Sequence, residues 1–305
     1  MTMSKTITPL VSVVIPTYNH AHFLGRAIQS VLDQTYKNWE AIVIDNHSTD
    51  NTDEVLRKFT DERIRALKIH NNGVIAASRN MGIQAARGEW IAFLDSDDWW
   101  KSQKLEVCLR KVKKRVDLVY HSLEIVNEFS GDEGVRVNGC WQLKKPVIID
   151  LLLNGNTISN SSVMVRKKVL DTIGEIDENI YMVGAEDYNT WLRIATTTDG
   201  FLRVNKPLGC YYVHENNYSI KDISGAKDIA TQSYMYLLSE KQRKKHISID
   251  EYMKGKTKYS ELKYDLALKY FYFSARYAKP EIMLKSMYMI AMCYIKIIED
   301  LLVHH

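Results

Sequence analysis

Three carboxylates stand close together within residues 88–100, which read GEWIAFLDSDDWW. The apolar run from Trp90 to Leu94 predicts a short buried strand, because it combines aromatic and β-branched residues. Asp95, Asp97 and Asp98 follow it directly. Acids this close repel one another unless positive charge lies among them, and hard divalent cations prefer carboxylate oxygens. The cluster therefore predicts a cation site that also holds phosphate oxygens. A solvated loop and an acidic cap on the next helix are the alternatives.

The residues that precede this cluster alternate between strand and helix patterns. Strands are predicted at 11–16, 39–46, 63–70 and 89–95, and helices at 21–34, 52–59 and 73–87. Repeated β–α units of this length predict a three-layer, mostly parallel sheet. Ligands of such sheets bind at the carboxyl ends of the strands. The segments PTYN, DNHSTD and DSDD each follow a predicted strand, so they should meet along one edge.

The first two of these segments carry groups that could hold a nucleotide. The ring of Tyr18 can stack on a base, while Asp45 and Asn46 offer an acceptor and an amide that can read a base edge. Arg79 is the nearest cation that could reach a base carbonyl or a phosphate. The alternatives are a turn with helix caps for DNHSTD and an exposed helical arginine for Arg79.

The order of elements becomes looser after residue 115. Further strands are predicted at 116–126 and 200–220, a hairpin or loop at 129–142, a short helix from 150, and a strand leading into a helix at 159–174. Glu186 and Asp187 open another predicted helix at 184–198. These patterns predict one domain over residues 1–222 and a helical region over 223–305.

The helical region carries the excess positive charge of the chain. After residue 240 there are thirteen Lys or Arg and seven Asp or Glu, a net of +6, whereas the first 240 residues carry a net of −2. Beyond Pro280 a wide apolar face repeats with helical spacing, and Lys285 and Lys296 share a narrower stripe. Such a helix either packs on the main domain or lies at the surface of an anionic membrane.

Composition excludes several classes of protein. The chain has 305 residues, 46% of them hydrophobic, which is enough for a sizeable core, and its net charge of +4 does not indicate nucleic acid. Its four cysteines have no CxxC spacing, so free thiols are predicted rather than disulfides or zinc. No apolar run is long enough to span a membrane, and residues 1–10 do not read as a secretory signal. These features favour a cytoplasmic protein.

The ordered set PTYN, DNHSTD, SRNMGIQAARGEWIAFLDSDD, AEDYNTWLR and YYVHENNYS resembles the family 2 glycosyltransferases over about residues 10–220. These are inverting enzymes with the GT-A fold, a Rossmann-like three-layer α/β sandwich. The resemblance implies transfer of a single hexose or N-acetylhexosamine from a nucleoside-diphosphate sugar, UDP being favoured, to a glycan. A polyprenyl-linked precursor of a surface polysaccharide, reached at the cytoplasmic face of the membrane, is the implied acceptor.

The resemblance also implies roles for individual residues. Asp95 would contact the ribose, Asp97 would bind Mn²⁺ or Mg²⁺ on the diphosphate, and His214 would complete the metal site. Asp187 would be the general base, whereas Asp98 and Glu186 receive no firm role. The implied donor-binding residues are Pro16, Thr17, Tyr18, Asn19, Asp45, Asn46, Arg79, Asp95 and Ser96.

The chemistry of inverting transfer agrees with one base and one cation. A carboxylate takes the acceptor's proton, and a cation stabilises charge on the leaving diphosphate. Because that leaving group is already activated, the carboxylate pair of a glycosidase is not needed.

The chain departs from the family's pattern at two points. Asn46 stands where the family commonly has an acid that reads the uracil imide; its amide oxygen could accept the same hydrogen bond, and dTDP or GDP remain further candidates. The QxxRW signature of processive synthases is absent, which favours single addition.

Two other functions compete with this interpretation. In a haloacid-dehalogenase-like phosphatase, Asp95 would be the nucleophile and Asp97 the acid, but that family places the strand near the start of its core. A catalytically inactive scaffold is the other, and the intact Asp95, Asp97, Asp187 and His214 argue against it. A dinucleotide-binding oxidoreductase is disfavoured because no GxGxxG follows the first strand.

Overall fold

Residues 8–127, 136–215, 217 and 223–303 are described by a computed structural model. Half of the loop predicted at 129–142, residues 129–135, and part of the polar end predicted near residue 216 lie outside these residues. The described chain divides into two units. The first holds residues up to Leu151 together with Asn156–Thr231, and the second holds Leu152–Gly155 together with residues from Gln232 onward. Residues 223–231 thus group with the first unit, whereas the predicted domain division falls at residue 222.

The first unit is built on one mixed sheet. Its strands are β1 Val11–Thr17, β2 Trp39–Asp45, β3 Ile64–Lys68, β4 Trp90–Phe93, β5 Trp99–Trp100, β6 Leu118–Asn127, β7 Arg136–Val137, β8 Met164–Arg166 and β9 Phe201–Val213. Their order is β3-β2-β1-β4-β8-β6-β9-β5, and β7 pairs with β6. The pairs among β3, β2, β1 and β4 are parallel, as the β–α pattern predicts. Beyond β4 the sheet is mixed, because β8 runs antiparallel to both β4 and β6.

Eleven α-helices alternate with or follow these strands in the described chain. They are α1 Ala21–Leu32, α2 Thr52–Arg57, α3 Ile75–Ala85, α4 Lys104–Lys111, α5 Val147–Asn154, α6 Lys167–Ile173, α7 Glu186–Thr197, α8 Ser224–Gln232, α9 Glu240–Ser260, α10 Tyr264–Tyr277 and α11 Pro280–Val303. Every residue of β1, β2 and β4 is buried, as expected for strands covered on both faces. Helix α1 contributes its apolar face to the same core. The four cysteines are free, as predicted, and all four are buried.

Helix α3 lies very close to β1, and Gly82 makes this approach possible. A Cβ atom at Gly82 would stand 2.4 Å from Cγ1 of Val14, which is itself fully buried in β1. The contact matters for the site because Arg79, one turn earlier on α3, depends on this position of the helix.

We expect Gly82→Ala to lower the free energy of unfolding by about 1–3 kcal/mol, because the added methyl group overpacks the α3–β1 contact. Gly25→Ala on α1 is the matched control. Its Cβ would meet Val55 at an ordinary 3.7 Å, so the better helix propensity of alanine should leave stability equal or slightly higher. Urea denaturation of both variants tests the difference, and equal midpoints would show that the close approach carries no cost.

The second unit is a small helical assembly. Helices α9, α10 and α11 enclose a core of Ala267, Leu268, Phe271 and Cys293. Gly255 allows Phe271 to pack against α9, since a Cβ there would lie 2.7 Å from the ring. Within the described residues, no helix has both the length and the apolar character that crossing a membrane requires.

Candidate active site

A cleft of about 1120 Å³ opens at the carboxyl ends of β1, β2 and β4. As expected for parallel strands, the segments PTYN, DNHSTD and DSDD all reach it. Of the residues predicted for the site, the following line this cleft: Pro16, Thr17, Tyr18, Asn46, Arg79, Asp95, Ser96, Asp97, Asp98, Glu186, Asp187 and His214.

Two predicted donor-binding residues, Asn19 and Asp45, are not among the residues that line the cleft. Asp45 is buried, and its Oδ1 accepts hydrogen bonds from the backbone N–H and the hydroxyl of Ser48. Asn19 accepts the backbone N–H of Thr49 on its Oδ1. In the described chain, Oδ1 of each side chain accepts hydrogen bonds from the neighbouring turn, whereas Oδ2 of Asp45 has no hydrogen-bond partner, so the predicted contact of both residues with the donor stays a prediction.

Arg79 has partners other than the predicted base or phosphate. Its side chain is 4% exposed; one terminal nitrogen donates to Glu186 at 2.6 Å and the other to Asp95 at 2.8 Å. Burial alone would lower the pKa of Arg79, but the two carboxylates outweigh it and raise that pKa. The guanidinium thus links the acid that follows β4 to the acid pair that opens α7.

Asp187 presents a carboxylate to the cleft from the first turn of α7. Its Oδ1 accepts the backbone N–H of Tyr188 at 2.5 Å, and its Oδ2 accepts the side-chain amide of Asn156 at 3.3 Å. Burial, and then the neighbouring charge of Glu186, raise the pKa of Asp187 to about 7. A carboxyl with this pKa can accept a proton near neutral pH.

Asp97 and His214 lie together at the other side of the acid cluster. Nε2 of His214 is 3.1 Å from Oδ2 of Asp97, and the amide of Asn217 donates to the same oxygen at 3.3 Å. Burial and the charge of Asp95 raise the pKa of Asp97. Asp98 is buried deeper, and its Oδ1 accepts the backbone N–H of Tyr212, so it anchors the loop to β9.

The side chains of Asp97 and His214 are suitable ligands for a hard divalent cation. Asp97 and His214 offer an oxygen and a nitrogen ligand, and a cation would offset the burial of carboxylate charge beside Asp95. Among the described residues, no group of three or more His, Cys, Asp or Glu side chains is arranged as a complete metal site. Phosphate oxygens and water would supply further ligands, as is usual for Mg²⁺.

Several cleft residues escaped the sequence analysis. They are chiefly His20, His47, His70, Asn71, Trp141, Asn156 and Asn217. His20 and His47 stand inside or beside the recognised segments, so their position was a usable signal. Asn156 and Trp141 lie in irregular segments with no motif, and only the tertiary structure brings them to the cleft.

The architecture of this protein is the GT-A fold. The fragment 1–349 of TarS from S. aureus, solved in complex with UDP-GlcNAc, has a TM-score of 0.64 at 15% identity, over 93% of this chain and 89% of that fragment. The mannosyltransferase PcManGT from Pyrobaculum calidifontis, solved with GDP-Man and Mn²⁺, has a TM-score of 0.54 at 17% identity, over 95% of this chain and 74% of PcManGT. At these identities the likeness establishes the fold.

Sequence comparison identifies the family. The profile of Glycosyl transferase family 2 matches residues 12–174. The Escherichia coli enzyme UDP-Glc:alpha-D-GlcNAc-diphosphoundecaprenol beta-1,3-glucosyltransferase WfgD is 34% identical over 186 residues, which is 61% of this chain and 69% of WfgD. The chain therefore belongs to glycosyltransferase family 2, and it is a glycosyltransferase rather than a phosphatase.

Proposed function

We propose that this protein transfers a single sugar from a nucleoside-diphosphate sugar to a glycan acceptor with inversion, using Asp187 as the general base. The observation that carries the proposal is the position of Asp187 on the same cleft as Asp95 and Asp97. UDP is the favoured nucleotide, in line with the UDP-Glc in the name of WfgD and the UDP-GlcNAc bound to TarS.

The proposed step is a direct displacement. The acceptor hydroxyl oxygen forms a bond to the anomeric carbon, its proton passes to a carboxylate oxygen of Asp187, and the bond from the anomeric carbon to the diphosphate oxygen breaks with its electron pair. Tyr188 and Asn156 hold the carboxylate in one orientation. A cation bound by Asp97 and His214 would stabilise the charge of the departing diphosphate.

A panel of sugar nucleotides tests this proposal most directly. The purified protein is incubated with each donor, a glycan acceptor and Mn²⁺, and the released nucleoside diphosphate is measured. The proposal expects acceptor-dependent release and a product of opposite anomeric configuration by NMR. Retention of configuration would overturn the displacement, and release from no donor would overturn the proposed donor class.

The role of Asp97 gives a prediction about the cation. Asp97→Asn should weaken the Mn²⁺-dependent part of donor binding by tenfold or more, because a neutral amide replaces a charged oxygen ligand. Asp61→Asn, which removes a carboxylate from a surface pair with Arg63, is the control and should bind like the wild type. Calorimetry with and without Mn²⁺ measures the effect, and equal Mn²⁺ enhancement in Asp97→Asn would contradict the ligand assignment.

We also propose that the acceptor is a polyprenyl-linked glycan and that α11 binds the membrane surface that carries it. The name of WfgD specifies a diphosphoundecaprenol-linked acceptor. Helix α11 presents exposed apolar side chains along one face: Leu284, Met287, Tyr288, Tyr294, Ile295, Ile298 and Leu301. Together with the net charge of +6 after residue 240, this face suits an interfacial helix on anionic lipid. Lys285 and Lys296 are partly offset by ion pairs with Glu281 and Glu299, so the apolar face carries more of the argument than these two lysines.

Vesicle sedimentation tests the membrane proposal. The full chain should sediment with vesicles of phosphatidylglycerol and phosphatidylcholine, and Leu284→Ser/Ile298→Ser should reduce partitioning by tenfold or more through lost apolar burial. Met253→Ser, at an exposed apolar position on α9, is the matched control. Equal sedimentation of the double variant and the wild type would contradict the proposal. The proposal would also fail if the wild type formed a dimer and the same two substitutions dissociated it.

A further inference from the structure

The acids that follow β4 form a closed turn. The backbone N–H of Asp98 donates to the carbonyl oxygen of Asp95 at 3.0 Å, which is the hydrogen bond that closes a four-residue β-turn. Ser96 and Asp97 are the two central residues of this turn, and both line the cleft. The direction of the Asp97 carboxylate therefore depends on how the two ends of the turn are held.

One hydroxyl group, that of Ser161, contacts both ends of this turn. Its oxygen accepts the backbone N–H of Asp95 at 3.0 Å. Burial and then the charge of Asp97 raise the pKa of Asp98, and a hydrogen bond from the Ser161 hydroxyl opposes that rise. Because a hydroxyl both accepts and donates, it can make the two bonds at once. Ser161 thus joins the first residue of the turn to the last.

Ser161 is itself held by the indole of Trp100 on β5. Nε1 of Trp100 donates to the backbone carbonyl oxygen of Ser161 at 2.7 Å, and both residues are buried. The backbone N–H of Trp100 donates to the hydroxyl of Ser30, and Nζ of Lys104 lies 3.7 Å from the centroid of the indole ring. The hydroxyl of Ser161 therefore reaches the turn from a buried, hydrogen-bonded support.

The neighbours of Ser161 on the short 3₁₀ helix Asn160–Ser162 separate two kinds of contact. Nδ2 of Asn160 donates to Oδ1 of Asp95 at 2.9 Å, so this residue also holds the acid turn. Ser162 is as deeply buried as Ser161, but its hydroxyl donates to the carbonyl oxygen of Ser159 within its own segment. Ser162 thus offers a comparison in which a buried hydroxyl serves only local structure.

We propose that Ser161 is a positioning residue for the cation: by joining the two ends of the turn 95–98, it holds the Asp97 carboxylate in its binding orientation before the cation arrives. The inference rests on the proposed function, in which Asp97 is a cation ligand. A ligand group that is already oriented loses less conformational entropy on binding, so the cation binds more tightly. Ser161 acts through the turn and is not itself a ligand.

Ser161→Ala should raise the Mn²⁺ concentration needed for half-maximal UDP binding by about fivefold or more, because the turn loses the group that joins its ends. UDP binding in EDTA should change by less than about twofold, since the nucleotide side of the cleft is unchanged. Ser162→Ala is the matched control and should keep the wild-type Mn²⁺ requirement. Electron paramagnetic resonance of free Mn²⁺ in the presence of UDP measures the first quantity, and calorimetry in EDTA measures the second.

Trp100→Phe tests the same contact from the other side. It keeps an aromatic ring and the hydroxyl of Ser161, but it removes the donor to the carbonyl oxygen of Ser161. The Mn²⁺ requirement should therefore rise in this variant as well. Trp39→Phe is its control, because Nε1 of Trp39 is buried without a hydrogen-bond partner among the described residues. That variant should bind Mn²⁺ and UDP like the wild type.

Each outcome of these titrations decides a different point. A folded Ser161→Ala with the wild-type Mn²⁺ requirement would overturn the inference, and if this variant does not fold, an unchanged requirement in Trp100→Phe would overturn it. An equal rise in Ser162→Ala would assign the effect to general loosening of the segment and would also overturn it. If the wild type itself bound UDP without any dependence on Mn²⁺, or bound no nucleoside diphosphate, the proposed function would fail.

Discussion

Asp187→Asn should lower kcat for sugar transfer by about 10²–10⁴-fold, the contribution that a general base usually makes. The asparagine is nearly isosteric, and its oxygen can still accept the N–H of Tyr188. It cannot take the proton of the acceptor hydroxyl. Donor affinity should remain within about twofold, because Asp97 and the nucleotide side of the cleft are unchanged. Steady-state kinetics and calorimetry with UDP measure the two quantities separately.

The pH profile supplies a second readout of the same residue. The pKa of Asp187 is raised to about 7, so below this pH the carboxyl is protonated and cannot act as a base. The wild-type rate should therefore rise with pH through about 7 and level off above it, provided that the acceptor is saturating. The residual rate of Asp187→Asn should lack this rise.

Asp177→Asn is a suitable control for Asp187→Asn. Asp177 lies in the loop that leads to α7. Within the described chain, its carboxylate accepts one local hydrogen bond, from the backbone N–H of Asn179. This variant should keep wild-type kinetics. If Asp187→Asn also turned over normally, the base would have to be another group in the cleft.

Arg79→Leu should lower the free energy of unfolding by about 3–5 kcal/mol, the usual cost of removing one partner from a buried ion pair. The substitution leaves Asp95 and Glu186 without the guanidinium that pairs with both. Arg79→Lys should recover only part of the loss, because one ammonium cannot reproduce the two-ended geometry of arginine. Urea denaturation measures the change.

Arg87→Leu is the matched control for this large effect. Arg87 also pairs with a buried carboxylate, Glu40, but its own side chain is 68% exposed and Arg65 pairs with the same acid. The expected cost is therefore about 1 kcal/mol or less. Comparable losses in the two arginine variants would contradict the view that Arg79 acts through buried charge.

A triple variant separates stability from activity at this arginine. Arg79→Leu combined with Asp95→Asn and Glu186→Gln removes the uncompensated charges along with the cation. Much of the lost stability should return, because neutral groups cost less to bury than unpaired carboxylates. Sugar transfer should stay low, since the acid side of the donor cleft has been removed.

The sequence predicts the strands and helices that position the site. The strands β1 to β4 and the helices between them follow from local hydrophobic periodicity, which is a property of neighbouring residues. Parallel strands then force PTYN, DNHSTD and DSDD to one edge of the sheet, wherever the helices pack. The sequence also predicts β8 as a strand. Its position between β4 and β6, antiparallel to both, depends on contacts between residues that are distant along the chain.

The sequence by itself thus determined the order of the elements, the edge at which the cleft opens and the acids that reach it. The tertiary structure decided what each polar side chain binds. In it, Asp45 accepts a hydrogen bond from Ser48, and the buried Arg79 pairs with Glu186. The oxygen of Asn46 accepts the backbone N–H of Asn71. The physical reason is that a buried polar group must be satisfied by whichever partners folding brings near it, and those partners come from distant parts of the chain.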